Sequence, residues 1–272
     1  MSPTSPGKLR LGGMALRNGL LVHGPTHWAA AVRAADGTIR VGSGRKPRVQ
    51  AADGIPGVRG VARLGEAFAV IPLVKRALPE AKLPFENAGV IGAAAAASLT
   101  GAMVRRRFGG AGGEVTATML SLAPAMFALR GGELAAYHGV EHKAIAAYEA
   151  PDDRDAADAA KEHDRCGSHL VAPMLAANVA GALVLKRALE RPNALAGGMV
   201  AVASTAVAVE VFAWSERHAG SGLSRALRRP GFEIQRLIGT REPDERQLEV
   251  GRAALGEIVR VETTDQKMGS RP

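Results

Sequence analysis

The chain has one cysteine and few aromatic residues, and each scarcity narrows what the protein can be. Among its 272 residues, the lone Cys166 excludes an intramolecular disulfide, so this thiol is a metal ligand, an inert buried group or a nucleophile. Aromatic residues make up 4% of the chain, and no segment interleaves them with basic residues as a nucleic-acid stacking surface does. We therefore expect no nucleic-acid partner, despite a formal net charge of +9. Met1–Arg10 also lacks the apolar core of a signal peptide.

No apolar run reaches the roughly 20 residues that a helix needs to cross a bilayer, but four uncharged stretches come close. They are rich in Ala and Gly, which let helices pack closely in lipid. A buried helix of a soluble bundle has a similar composition, but four such stretches with charges collected at their ends favour a membrane protein. The stretches are Asn87–Val104, Val115–Leu129, Leu170–Leu185 and Pro192–Val209.

Lys and Arg residues are distributed unevenly around these stretches. Most of them lie before the first stretch, after the last, or in the loop between the second and third. With four spans, the positive-inside rule places both termini and this loop on the cytoplasmic side. The triplet Arg105–Arg107 fits poorly, because it would occupy a short loop on the far side. A re-entrant or tilted first pair of stretches is the alternative.

The predicted fold class is mainly α: a polytopic membrane helical bundle of about four short spans, with a small N-terminal β unit and a C-terminal amphipathic helix. In the β unit, Asp36-Gly37 is a strong hairpin turn signal. After Pro243, four apolar residues share one face of a helix, namely Leu248, Leu255, Ile258 and Val259. The predicted regions are 1–57 for the β hairpin and loops, 58–215 for the bundle with its motif loop 130–169, and 216–272 for a basic cytoplasmic segment.

The motif loop begins with the residues whose chemistry is clearest. Tyr137–Lys143 reads YHGVEHK, and on a helix His138, Glu141 and His142 lie on one face. Two imidazoles one turn apart can bind one metal ion. The order His-x-x-Glu-His is the inverted form of the zincin pair, in which Glu is the general base. A solvated polar helix with satisfied histidines would show the same pattern.

A second cluster, HDRCGSH, follows in the same loop and supplies His163, Cys166 and His169. We predict that His163 and Cys166 complete the metal site begun by His138 and His142. Thiolate together with imidazole favours zinc among the divalent metals. The alternative is a nucleophilic Cys166 activated by a neighbouring histidine, although the sequence supplies no orienting third group.

Three further charged residues are predicted site residues. Glu210 interrupts an apolar run, where a carboxylate is unfavourable unless it is paired or bound to a cation. We assign it to the metal set, with a carboxylate at the membrane interface as the alternative. Lys143 and Arg241 join Glu141 as predicted catalytic residues. Arg241 can reach a substrate anion, or it can pair locally with Glu242.

These residues together resemble the YqhQ-like family of bacterial membrane proteins, a domain-of-unknown-function family described as predicted metal-dependent enzymes. The resemblance runs from Gly12 to about Leu255. It is most specific in YHGVEHKAIAAYE, HDRCG and TREPD. The resemblance implies a polytopic protein of the bacterial inner membrane with a metal site on His138, Glu141, His142, His163 and Cys166. The chain departs from the family pattern at Met14, Asn18 and His23, where a carboxylate is lost and a histidine is gained.

The expected function is that of a membrane-embedded, metal-dependent enzyme, most simply a zinc hydrolase with a small-molecule or lipid-soluble substrate. One alternative is a non-catalytic metal-binding or scaffold protein, whose metal would have four protein ligands. Another is a small ion-coupled transporter that uses Glu210, although four short spans without an internal repeat speak against it. A homo-oligomer is compatible with the sequence.

Overall fold

Residues 8–52, 54–55, 57–108, 110–130, 132–152, 154–189 and 193–269 are described in this computed structural model. An N-terminal sheet packs with helices on both faces, and this unit is called the sheet layer below; the long apolar helices pack mainly against one another as a bundle. The helices are α1 (Val58–Ala69), α2 (Ile71–Ala77), α3 (Ala88–Phe108), α4 (Gly110–Leu120), α5 (Ala123–Leu129), α6 (Glu133–Glu149), α7 (Val171–Ala188), α8 (Ala194–Arg217), α9 (Gly222–Ile234) and α10 (Glu245–Gly269).

The sheet is an antiparallel meander in which each strand pairs with its neighbours in the chain. Its turn between the third and fourth strands contains Asp36 and Gly37, as predicted. Gly37 has a φ of 85°, a conformation that glycine adopts without steric penalty, and the Asp36 carboxylate accepts a hydrogen bond from Thr38 N at 2.9 Å. The strands are β1 (Gly12–Leu16), β2 (Gly19–His23), β3 (His27–Arg33) and β4 (Ile39–Arg45).

Helices cover both faces of the sheet. Because successive side chains of a strand point to opposite faces, Leu20 and Val22 pack on one side, with α6 and α10, while Leu21 packs on the other, with α2. Three segments that are far apart in the sequence therefore share one core. On the α6 and α10 side, the buried helical residues are Leu134, Tyr137, Val140, Ile145, Val250, Ala254 and Ile258.

The predicted C-terminal amphipathic helix is confirmed as α10. Ile258 is buried in the core shared with α6, and Leu255 and Val259 pack against that core, whereas Leu248 is buried in a neighbouring cluster with Ala147. The helix begins at Glu245, so Pro243 precedes it and does not lie in its first turn.

Among the described residues, three helices are long and apolar enough to cross a membrane: Ala88–Phe108, Gly167–Ala188 and Ala194–Arg217. The prediction of about four spans is corrected at the second stretch, Val115–Leu129, which is divided between α4 and α5. Pro124 lies in the first turn of α5. Proline has no N–H to continue a preceding helix and disfavours the helical conformation of the residue before it, which accounts for the break.

The broken pair α4–α5 nevertheless runs back along α3. At one end, Phe127 of α5 lies against Gly89 of α3. At the other end, buried Glu114 pairs with Arg105 at 2.9 Å and with Lys186 at 2.6 Å. The Arg triplet that fitted the topology poorly is therefore partly neutralised by a carboxylate from α4.

Candidate metal centre

Helix α6 carries the first motif and is buried almost throughout. Its apolar residues face the sheet and α10, and the motif residues are enclosed with them. Glu141 is 7% exposed, His142 is 2% exposed and Lys143 is 3% exposed. The alternative of a solvated polar helix is therefore wrong, and these polar groups need partners inside the protein.

The structure brings His138, His142 and Cys166 together. One ligand atom from each of these residues lies within 4.8 Å of the ligand atoms of the other two. His138 Nε2 is 3.4 Å from Cys166 Sγ, and the two imidazole centroids are 4.3 Å apart. The cysteine reaches the histidines because it lies in the turn directly before α7.

Backbone carbonyls orient both imidazoles. His138 Nδ1 lies 2.7 Å from Gly239 O, and His142 Nδ1 lies 2.6 Å from Lys161 O. Because a carbonyl oxygen only accepts, each Nδ1 carries the proton, and in the neutral ring each Nε2 presents a lone pair. Histidines that bind a metal through one ring nitrogen usually donate a hydrogen bond from the other, often to a backbone carbonyl.

The His142 Nε2 atom is buried and has no hydrogen-bond partner among the described residues. A buried acceptor left in this way destabilises the fold by about 1–3 kcal/mol. A cation at the centre of the cluster would use this lone pair, together with that of His138. The residues present therefore fit a metal ion.

The spacing of the cluster agrees with zinc. Ligand atoms around tetrahedral zinc are separated by roughly 3.3–3.6 Å, given bond lengths of about 2.0–2.3 Å. The 3.4 Å between His138 Nε2 and Cys166 Sγ lies in that range, and the 4.8 Å limit on the set requires side-chain adjustments of about 1 Å. Two imidazoles and a thiol form a donor set that suits zinc.

Glu141 lies beside the cluster, with its side chain against strand β1. Its Oε2 atom is 3.9 Å from His138 Nε2. A Cβ on Gly13 would lie 2.6 Å from Glu141 Cγ, so only glycine lets the carboxylate approach this strand. Burial raises the pKa of Glu141 above its usual range, and the nearby His138 acts in the opposite direction. The sequence pattern alone assigned no role to Gly13, although the Gly12-Gly13 pair is a visible signal.

His163 adjoins the three-residue cluster without belonging to it. Its ring centroid is 5.6 Å from that of His142. Its Nδ1 atom accepts a hydrogen bond from Arg165 N at 3.2 Å, and its backbone N donates to Gln235 Oε1 at 2.8 Å. Burial, together with the nearby His142, lowers the pKa of His163 to about 3, so the ring is neutral near pH 7.

Gln235 is a structural residue that was not predicted from the sequence. It is fully buried, and its amide also donates to Ser168 Oγ and contacts His169 Nε2. His169 Nδ1 lies 2.9 Å from Arg228 O, so this histidine supports the turn and is not part of the cluster. Gln235 opens a π-helical turn, Gln235–Gly239, whose last carbonyl is the partner of His138. A lone glutamine gives no sequence signal for such a role.

A cavity of about 860 Å³ opens beside the cluster. Glu141 is its one acidic residue among the described lining residues, whereas basic side chains are numerous. The partners of several basic residues lie outside the lining, as Glu216 does for Arg10. Arg63 and Arg165 likewise pair with Glu66 and Glu149 outside the lining. The wall presents more basic than acidic groups, and this balance favours an anion over a cation. Its basic residues are Arg10, Lys46, Arg48, Arg63 and Arg165.

Of the three departures from the family pattern, one reaches this cavity. His23 lines it, and burial together with Lys46 lowers the pKa of His23 to about 4. Asn18 instead ties the β1–β2 turn to Arg33 O and Glu80 O. Met14 packs against the core on the α2 side of the sheet.

The structure places Glu210 away from the cluster. Its carboxylate accepts two hydrogen bonds from Arg59, at 2.8 and 3.2 Å, and a third from Gly57 N at 3.0 Å. These contacts fasten α8 to the start of α1. The sequence expectation that a carboxylate at this depth needs a partner is met by an arginine.

Lys143 and Arg241 also point away from the cluster. Lys143 Nζ donates to Ala157 O and Ala159 O and pairs with Glu242 at 2.7 Å, so it anchors the segment that leads to the second motif. The Arg241 side chain lines a different cavity. Its backbone N donates a hydrogen bond to Ala135 O and holds the segment before α10 against α6.

These features define a mainly helical protein with candidate membrane-spanning helices and a largely buried His/His/Cys cluster. Residues 133–261 match the family described as "Protein of unknown function (DUF1385)". The matched segment begins with α6, ends within α10 and contains both motifs. No curated protein and no solved structure matches the chain.

Proposed function

We propose that the protein is a membrane-embedded, metal-dependent enzyme, with zinc held by His138, His142 and Cys166. One observation carries the proposal. Two Nε2 lone pairs and a sulfur converge on one point, and one of these nitrogens is buried without any partner among the described residues. Three protein ligands are the number found in catalytic zinc sites, which keep a position open for water or substrate.

Glu141 is the proposed general base. When bound, zinc supplies a Lewis acid that acidifies water and polarises a substrate. The Glu141 carboxylate lies 3.9 Å from a ligand nitrogen, close enough to take a proton released beside the metal. Because burial raises its pKa, it is a stronger base than an exposed glutamate.

The cavity beside the cluster supports a small substrate with an anionic group. Basic residues outnumber the one acidic residue in its described lining, and His138, His142 and Cys166 line the same cavity. A phosphate or carboxylate ester is the simplest substrate class that combines an anion with a bond that zinc hydrolyses.

We also propose that the sheet layer lies on the cytoplasmic side of a bacterial inner membrane, with both termini on that side. The support is the concentration of Lys and Arg residues in the termini and the motif loop, which the positive-inside rule places in the cytoplasm. Labelling of single cysteines, introduced at Ser221 and Ala194 into a Cys166→Ser background, tests this. Only Ser221 should react from the cytoplasmic side, and the reverse pattern would contradict the proposal.

Metal analysis of the purified protein tests the central claim. We expect about one zinc per chain for the intact protein and a large loss in Cys166→Ala and in His142→Ala. His218→Ala is the matched control, because His218 is exposed and lies outside the cluster. Equal, near-zero metal in all four proteins would end the proposal.

A second candidate is a structural, non-catalytic metal site closed by His163. The observation that favours it is the neutral His163 ring next to His142. A His163→Ala variant separates the two functions. If the site is catalytic, the variant keeps its zinc, whereas loss of zinc equal to that in Cys166→Ala shows a fourth protein ligand.

A further inference from the structure

A second cavity, of about 960 Å³, lies on the other side of the π-helical turn. Its volume falls within the range of about 300–1,000 Å³ that is typical of ligand sites. Helices α4 and α5 form one wall, and the start of α6 with the π-helical turn forms the other. Most of the lining is apolar and includes Met119, Leu122, Met126, Phe127, Leu237 and Ile238.

This cavity lies where the bundle meets the sheet layer. Phe127 in its wall touches Gly89 near the start of α3, and the chain continues from α5 directly into buried α6. One wall therefore belongs to the apolar bundle and the other to the layer that carries the candidate metal centre. If the bundle crosses a bilayer as proposed above, this end of the bundle would lie near the edge of the hydrocarbon core, where headgroups begin; the present proposal rests on that placement.

Two arginines, Arg130 and Arg241, are the charged residues among the described lining. No described residue forms an ion pair with either side chain. Arg241 Nη1 lies only 2.5 Å from the position that a Cβ on Gly132 would take, so the absence of a side chain at Gly132 makes room for this guanidinium. An apolar cavity with two such cations has the charge distribution of an amphiphile's binding site.

We propose that this cavity binds a membrane amphiphile, an apolar chain that ends in an oxyanion. The apolar wall would take the chain, and the guanidiniums of Arg130 and Arg241 would bind a carboxylate or phosphate, for which arginine's planar fork is suited. This chemistry is shared by a free fatty acid and by an anionic phospholipid. The binding requires no reaction at the metal centre, so it goes beyond the proposed function.

The occupant would lie against the turn that supports a proposed metal ligand. Ile238 and Thr240 line the cavity, and Gly239 between them provides the carbonyl that holds His138 Nδ1. Filling the cavity would restrain this turn, and with it the His138 ring. Binding of a lipid in this cavity would therefore influence the position of His138 at the metal centre.

The test measures binding of palmitate and of dioleoylphosphatidylglycerol to the purified full-length protein in detergent, by native mass spectrometry. Dioleoylglycerol, which has no anionic group, is the neutral probe. We expect the double variant Arg130→Gln, Arg241→Gln to bind both anionic probes about tenfold more weakly, or weaker still, because it loses charge-assisted hydrogen bonds. Arg229→Gln, an exposed arginine of α9 outside this cavity, is the control for charge.

A second variant, Ala123→Phe, fills the cavity and leaves both arginines in place. It should weaken binding of all chains, and its melting temperature and zinc content should match those of the intact protein. Tighter binding of palmitate would identify a fatty acid, and tighter binding of phosphatidylglycerol would identify a phospholipid. The proposal would be overturned if dioleoylglycerol bound as tightly as the two anionic probes. It would also be overturned if both variants bound the anionic probes as tightly as the intact protein does.

Discussion

His138 Nε2 lies 3.4 Å from Cys166 Sγ, although 28 residues separate them in the chain. Buried α6 fixes the histidine, and the turn before α7 fixes the cysteine. Gly239 O orients the imidazole so that its free nitrogen faces the sulfur. Since the chain has no other cysteine, any thiol chemistry that is measured on it belongs to this pair.

The first prediction concerns the reactivity of Cys166. A bound zinc ion occupies the thiolate and should slow its alkylation by iodoacetamide, because the thiolate is the reactive species. We expect removal of metal by a chelator to speed alkylation by about tenfold or more, in line with typical losses when a ligand is disturbed. Mass spectrometry of the single labelled peptide measures the rate.

His142→Ala is the control for this experiment. It removes a proposed ligand and leaves the thiol, so its alkylation should be fast and insensitive to zinc. Identical rates with and without metal in the intact protein would count against a Cys166 ligand and in favour of an inert or nucleophilic thiol.

The second prediction compares two adjacent glycines of β1. A Cβ on Gly13 would press on the Glu141 side chain, whereas a Cβ on Gly12 would meet nothing within 4 Å. Forcing extra atoms into a packed site typically destabilises by about 1–3 kcal/mol. We expect Gly13→Ala to lower the free energy of unfolding by that amount and Gly12→Ala to leave it within about 0.5 kcal/mol. Denaturant titration in detergent decides; equal effects would show that Glu141 does not lie against this strand.

The sequence predicted the local elements of this fold more fully than their association. The Asp36-Gly37 turn and the apolar face of α10 follow from short-range chemistry, and both are confirmed. The burial of α6 between sheet and α10 could not be predicted, because a helix covered on every side shows no apolar stripe. Pro124 was a visible signal for a helix break, but the stretch around it has no charged residue, and this absence of charge led to the prediction of one continuous span.

In the candidate site too, local features could be predicted from the sequence, whereas contacts between distant segments could not. The spacing of His138 and His142 predicted their shared face, and Cys166 was the natural third ligand. The partners that orient the rings are backbone carbonyls of Lys161 and Gly239, which every residue type provides. Sequence reasoning therefore has no means of finding them, since they depend on where a loop and a π-helical turn end in space.

The third prediction separates an anchoring role of Lys143 from a catalytic one. Its ammonium group donates to Ala157 O and Ala159 O in the interior. Lys143→Met would leave both carbonyls without this donor, at about 1–3 kcal/mol for each unsatisfied group. We expect unfolding free energy to fall by about 2–4 kcal/mol and amide exchange to rise in residues 157–166.

Lys82→Met is the matched control, because Lys82 is exposed, and it should change stability by less than about 0.5 kcal/mol. If Lys143→Met kept full stability and unchanged amide exchange, the anchoring role would be wrong, and the result would favour the predicted catalytic role of Lys143.

The fourth prediction is a pH dependence that arises from His23. Burial, with the positive charge of Lys46, lowers the pKa of His23 from 6.5 to about 4. Above pH 6.5 the ring is neutral in both folded and unfolded chains, so it has no effect on stability. Between pH 6.5 and 4 the unfolded chain takes up a proton that the folded chain refuses, and stability falls with falling pH. The loss approaches about 3 kcal/mol at pH 4.

Unfolding free energies of the chelator-treated protein, measured at several pH values, test this dependence. His163 has a lowered pKa as well, so the decisive quantity is the difference between the intact protein and His23→Gln. The variant should lose less stability on acidification, by up to about 3 kcal/mol. His218→Gln, at an exposed histidine, should follow the intact protein. Parallel curves for His23→Gln and the intact protein would show that His23 is solvated and does not belong to the enclosed wall of the metal cavity.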